Sequence, residues 1–232
     1  MSTNFTIEAS DRKSLAEGFG SRGLDLTHFE TRADRHKVNN GLEEELYILR
    51  RYLFSLESAG MLEYPVRISK SETPDFLGSI GLASIGLEVT EASAPQDQRE
   101  MTLSEQTEGP HLLGTHGGRY LDGIRYDGNP RGRLPDRDMT ADVLRAVRRK
   151  RKLRYPPVNI ELLLYANGNA AVMSNLETAL PLLDGRFVRW GNHLTAATRV
   201  NRVAIVKDNE RRLLLWRRET GLKVLDLHES LD

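Results

Sequence analysis

The 232 residues carry 33 Lys and Arg against 33 Asp and Glu, 39% apolar residues and no cysteine. A chain of this size and composition makes one soluble globular domain, with or without a large insertion, rather than a disordered or fibrous polypeptide. The lack of cysteine excludes a disulfide framework, a thiolate zinc or iron–sulfur centre and a cysteine nucleophile. No stretch approaches the ~20 apolar residues that span a bilayer and the first ten residues lack a secretory core, so a cytoplasmic protein without a membrane partner is expected.

Residues 1–40, with Gly18, Gly20 and Gly23 and no sustained period, predict an arm or loosely docked segment ahead of a domain over 41–232. From Gly41 onward Leu42, Leu46, Leu49, Leu53 and Leu56 recur at helical spacing, which predicts an amphipathic helix to about residue 58, ended by Gly60. Three short apolar or alternating runs, 64–69, 74–80 and 84–90, predict three strands. Residues 93–137, rich in Gly, Pro, Gln, Asp and Arg, predict a long insertion that is either a functional loop or disordered.

Asp138 and Thr140 then offer caps for a helix through Val143, Leu144 and Val147, closed by Pro156 and Pro157. This helix ends in a charge run. Residues 1–100 hold 11 Lys and Arg against 17 Asp and Glu, net −6, and the remainder holds 22 against 16, net +6. The excess peaks at Arg145, Arg148, Arg149, Lys150, Arg151, Lys152 and Arg154, a local field able to hold phosphates. A solvated helix face would read the same. Val158 to Tyr165 predicts a central strand covered on both faces, 174–183 a further helix, and 202–206 with 211–217 a closing hairpin. The order predicts an α/β or α+β sandwich, one mixed central sheet flanked by helices.

Chemistry concentrates in Pro74-Asp75 and Glu88-Val89-Thr90. With Asp75 at the start of one strand and Glu88 in its hairpin partner, the two carboxylates converge and can share a hard divalent cation, usually Mg²⁺, which polarises a phosphoryl oxygen and lowers the pKa of a bound water. Alternation puts Glu88 and Thr90 on one face and Glu91 on the other. The bland reading makes Pro74-Asp75 a turn and Glu88 a surface residue. Ile85, Leu87 and Val89 around Glu88 argue against it, because a carboxylate in a buried strand needs a partner.

These residues, with the preceding amphipathic helix and the basic helix leading into a buried strand, resemble the PD-(D/E)xK nuclease superfamily over about residues 41–165. The resemblance implies a restriction-endonuclease-like core of helix, three strands, helix and strand, with the insertion after the third core strand. It implies Asp75 and Glu88 as ligands of Mg²⁺, for which Mn²⁺ substitutes, and DNA as substrate. It also implies an acidic residue from the first helix. Glu45, at the edge of the apolar stripe, is the candidate, although a first-turn Glu also suits the helix dipole. The superfamily's Lys is here Thr90, so the charge-stabilising role passes to Lys150 at the margin of the basic helix, to Lys152, to a modified role of Glu91 or Thr90, or is lost. Lys150 is preferred, at the margin of the side defined by Leu144, Val147 and Arg151, with Arg148, Arg149 and Lys152 facing outward, and Arg148, Arg149, Arg151 and Lys152 are expected to hold the phosphate backbone.

The expected activity is thus a metal-dependent DNA endonuclease, with a role in restriction or anti-phage defence following from family frequency and a homodimer from the need to cut two strands. The alternatives are an inactive nuclease-fold domain that binds nucleic acid or a regulatory protein partner, and an interaction protein in which the basic helix is only solvated. Other candidates are weaker. Asp136 reads as part of a cap and Glu161 as the partner of the basic helix. Gly114 to Arg119 is not a P-loop, and His111 and His116 lack a third zinc ligand. Trp190 and Trp216 read as core.

Overall fold

A computed structural model describes residues 5–20, 41–93, 118–121, 124–127, 135–166, 174–192, 200–207 and 212–226. Its elements are β1 (Thr6–Ala9), α1 (Arg12–Gly20), α2 (Gly41–Ser58), β2 (Val66–Lys70), β3 (Phe76–Ile80), β4 (Ala83–Glu91), β5 (Gly118–Leu121), β6 (Ile124–Asp127), α3 (Pro135–Lys150), β7 (Asn159–Ala166), α4 (Leu176–Asn192), β8 (Val200–Lys207), β9 (Arg212–Arg217) and β10 (Gly221–Asp226). Eight strands make one mixed sheet in the order β1-β2-β3-β4-β7-β8-β9-β10, and β5 and β6 pair separately. The α/β class and the mixed sheet expected from the sequence are both present.

Helix α2 buries Leu46, Leu49, Tyr52, Leu53 and Leu56 from its stripe. It stops where Gly60 takes a positive φ of 65° while Gly60 N donates to Glu57 O and Met61 N to Leu56 O, the paired bonds of a Schellman end. β2, β3 and β4 follow as an antiparallel meander. β4 then pairs parallel with β7, and β7 parallel with β8. Parallel neighbours need crossovers, and α3 and α4 lie in those two connections. As expected of a strand covered on both sides, β7 is buried from Ile160 to Ala166.

Two apolar layers result. On one face, α1 and α2 pack on β1–β4 and the alternate residues Leu163 and Tyr165 of β7. On the other, α3 and α4 pack on Ile160, Leu162 and Leu164 of β7 and on β8 and β9. The second layer stops at β4. Beyond it the same sheet face carries Thr6, Glu8 and Arg67, all exposed, with Ser69, Leu77 and Ser79 half-buried. Among the described residues no helix packs on this polar row.

Several expectations need correction. Residues 5–20 are not a loose arm: β1 pairs with β2, and Phe5, Ile7, Leu15 and Phe19 are buried in the first core. Their short apolar runs are too brief to show a period, and only docking against the sheet makes them ordered elements. Helix α3 starts at Pro135 rather than Asp138, since proline suits the first helical position. Helix α4 runs to Asn192, past Pro181 and Gly185, because Leu183 and Phe187 continue its buried face. The 202–217 hairpin gains a third strand, β10. Within the 93–137 insertion β5 and β6 form a two-stranded ribbon; Gly114 to Gly117, His111 and His116 lie outside the described residues, as does the side chain of Trp190. Trp216 is buried and stacked on Phe187 at 5.3 Å.

Candidate functional site

The antiparallel register of β3 and β4 pairs Phe76 with Leu87, so Asp75, one residue before β3, comes opposite Glu88. Asp75 Oδ2 accepts a hydrogen bond from Val89 N at 2.8 Å, which ties the residue before one strand to the middle of the next. Glu88 points to the α3 face and is 3% exposed. Its Oε1 accepts from Lys150 Nζ at the last turn of α3. Its Oε2 is buried and has no hydrogen-bond partner among the described residues. Burial pushes the Glu88 carboxyl above its ordinary range, the Lys150 hydrogen bond pulls it back, and the charge of Asp75 pushes it up again.

From the α2 face comes a second pair. Glu45 is bonded to Lys70, the last residue of β2, and the Lys70 ammonium is also 3.6 Å from Asp75 Oδ1 and 5.0 Å from the centre of the Phe76 ring. Burial raises the Glu45 carboxyl, with Lys70 opposing and Asp75 adding to the rise. Asp75 therefore stands at the end of the sheet where the two faces meet, with Glu45 and Lys70 on one side and Glu88 and Lys150 on the other. Tyr155, just past α3, donates its hydroxyl to Lys150 O at 3.1 Å. Its phenol is raised by burial and by the nearby charges of Glu88 and Asp75.

The structure thus brings together Glu45, Asp75, Glu88 and Lys150, which the sequence singled out, and adds Lys70 and Tyr155, which it did not. Alternation on β2 could have flagged Lys70, a charge on the strand face that otherwise buries Val66 and Ile68. Arg148 and Lys152 are exposed as expected, and Arg151, expected on the side of Leu144 and Val147, is exposed as well because it lies just past the end of α3. Arg149 departs from that reading: although also exposed, its Nη2 turns back and donates to Thr90 Oγ1 at 2.8 Å. Glu161 pairs with Arg202 and Tyr52 on the α2 face, not with the basic helix, because the odd residues of β7 face away from α3. Asp136 braces the helices, accepting from Asn175 N and from the Thr178 hydroxyl.

Among the described residues no three acidic or His side chains form a group that could hold a metal ion, since Lys70 draws Glu45 aside. The pair Asp75 and Glu88 still suits a hard cation in its chemistry. Both are oxygen donors, and a buried carboxylate oxygen with no partner is costly unless something compensates it. Gly86, two residues before Glu88 on the same face, keeps the approach narrow: a Cβ there would lie 2.6 Å from Pro74 Cγ and 2.8 Å from Ile160 Cδ1. Among the described residues no helix is long and apolar enough to cross a membrane. Comparison with protein-family models, curated proteins and solved structures finds no match to this chain.

Proposed function

We propose that the chain is a metal-dependent endonuclease that hydrolyses phosphodiester bonds in DNA. The observation that carries this reading is the buried Glu88 with one oxygen on Lys150 and the other unpartnered, facing Asp75 across two adjacent strands. The order α2-β2-β3-β4-α3-β7 agrees with the nuclease core that the sequence resembles. The polar row on β1–β3 and, in and just past the last turn of α3, the exposed Arg148, Arg151 and Lys152 offer polar and basic surface for a polyanion.

In this reading Asp75 and Glu88 hold the cation, Mg²⁺ or Mn²⁺, which when bound supplies Lewis-acid polarisation of a phosphoryl oxygen. The Val89 amide fixes Asp75, and Lys150 fixes Glu88 and offsets part of its charge. Lys70 holds Glu45 at the margin, so Glu45 acts on the site through the local field. In the hydrolysis, a water oxygen bonds to phosphorus and the bond from phosphorus to the leaving sugar oxygen breaks with its electron pair. The water gives up a proton to a carboxylate, and the leaving oxygen takes one from solvent. A homodimer would bring two such sites to two strands, and a role in restriction or anti-phage defence is part of the same proposal.

The test is cleavage of supercoiled plasmid with Mg²⁺ or Mn²⁺, beside EDTA and a D75A/E88A protein. Metal-dependent nicking that disappears in the double variant is expected. Intact DNA under every metal, with binding retained in a gel shift, overturns the nuclease in favour of a nucleic-acid-binding domain.

A further inference from the structure

The charges around Glu88 are not equivalent. Lys150 spends its ammonium on Glu88, and Lys70 spends its own between Glu45 and Asp75. Arg149 is different. Its described hydrogen bond is to the neutral hydroxyl of Thr90, and among the described residues it makes no ion pair. Thr90 lies two residues beyond Glu88 on β4, on the same sheet face, and is itself buried at 9% exposure. A guanidinium has five N–H donors in a rigid fork, of which the hydroxyl takes one. A full positive charge is therefore held at Thr90, two residues along β4 from Glu88, with most of its donors unspent among the described residues.

We infer that Arg149, positioned by Thr90, is a catalytic residue that grips the reacting phosphate through its non-bridging oxygens. This rests on the nuclease reading and deepens it. A fork of N–H groups matches two phosphate oxygens, which a lysine cannot reproduce. The hydroxyl of Thr90 contributes by removing rotamers from a long exposed side chain before the substrate arrives. Lys150, already neutralised, is left to hold Glu88.

The experiment compares R149A, R149K and T90V with the wild type in two readouts: single-turnover plasmid cleavage with Mg²⁺, and affinity for a short labelled DNA duplex in EDTA over a range of salt. Arg149 is exposed and T90V keeps the side-chain shape, so folding is checked by circular dichroism and is expected to hold. R149A should lose about 10²-fold in cleavage rate, the size of effect of removing one preorganised donor to a developing oxyanion. R149K should recover little of it, and T90V should lose about tenfold. Added guanidinium ion should restore part of the R149A rate, whereas sodium at equal ionic strength should not; a merely structural arginine would show no such rescue. R149A cleaving at the wild-type rate while D75A/E88A is dead overturns the inference and leaves the nuclease standing. If the wild type itself does not cleave, the binding arm decides. A salt slope that falls by about one in R149A supports a phosphate contact, and an unchanged affinity and slope overturns it.

Discussion

Glu88 and Glu161 sit on neighbouring strands, one residue apart in register, since Leu87 pairs with Glu161 and Glu88 with Leu162. Both are buried, at 3% and 4% exposure, and each is joined to a cation. They face opposite sides of the sheet and are completed in opposite ways. Glu161 Oε2 accepts from the Tyr52 hydroxyl and Oε1 pairs with Arg202 at 3.0 Å, so both oxygens are satisfied within the fold. Glu88 has one oxygen on Lys150 and the other bare. A buried carboxylate with both oxygens answered is a structural bond, whereas the second oxygen of Glu88 has no partner among the described residues.

The sharpest break of this contrast, measured as stability, is E161L. It leaves Arg202 without its carboxylate and the buried Tyr52 hydroxyl without its acceptor, and should cost about 3 kcal/mol in urea unfolding. Y52F should cost less, about 1–2 kcal/mol, because it removes a hydroxyl from beside Glu161 and Arg202 but leaves their ion pair in place. Cleavage should survive in Y52F, since Tyr52 lies on the other face of the sheet.

A pH series comes next in size. Burial raises the carboxyl of Glu161, with Arg202 and Tyr52 only partly offsetting it. A carboxyl whose pKa is higher in the folded than in the unfolded chain contributes stability that is fully present below the unfolded value, ordinarily about 4.3, and lost as pH rises through the folded value. The Glu161 contribution should therefore fall as pH rises from the ordinary carboxylate range toward its raised value, and unfolding midpoints of E161Q should lack that component. The smallest effect on stability belongs to E88Q. Glutamine keeps the side-chain shape and an oxygen for Lys150, so the unfolding free energy should fall by no more than about 1–2 kcal/mol, while plasmid cleavage disappears. An E88Q protein as damaged as E161L would erase the distinction between the two glutamates.

Some of this was legible in the linear sequence, and each success has a local cause. The leucine repeat of α2, the apolar run of β7 and the short strands around Asp75 and Glu88 are patterns whose period matches one backbone geometry. Alternation within β4 was enough to put Glu88 and Thr90 on a common face. The failures are the elements that local pattern underdetermines. β1 and α1 are short, and α4 carries Pro181 and Gly185 inside it, so their order comes from the cores they join.

Partner identity was beyond the sequence for a different reason. Glu161 looked suited to the basic helix, and Arg149 looked as exposed as Arg148; what separates these readings is which layer of helices covers which face. Tyr52 and Glu161 are 109 positions apart, and Lys150 and Glu88 are 62 apart. Spacing along the chain constrains the direction of a side chain only within one element. The sequence by itself determined the helix and strand periods, the neutral total with its basic run, and the neighbouring short strands that carry Glu88 and follow directly on Asp75. Only the tertiary structure decided that Lys150 answers one oxygen of Glu88, that Lys70 captures Glu45, that Thr90 anchors Arg149 and that Glu161 is fully satisfied. Those contacts depend on strand register and on the packing of layers, which arise only when distant segments meet.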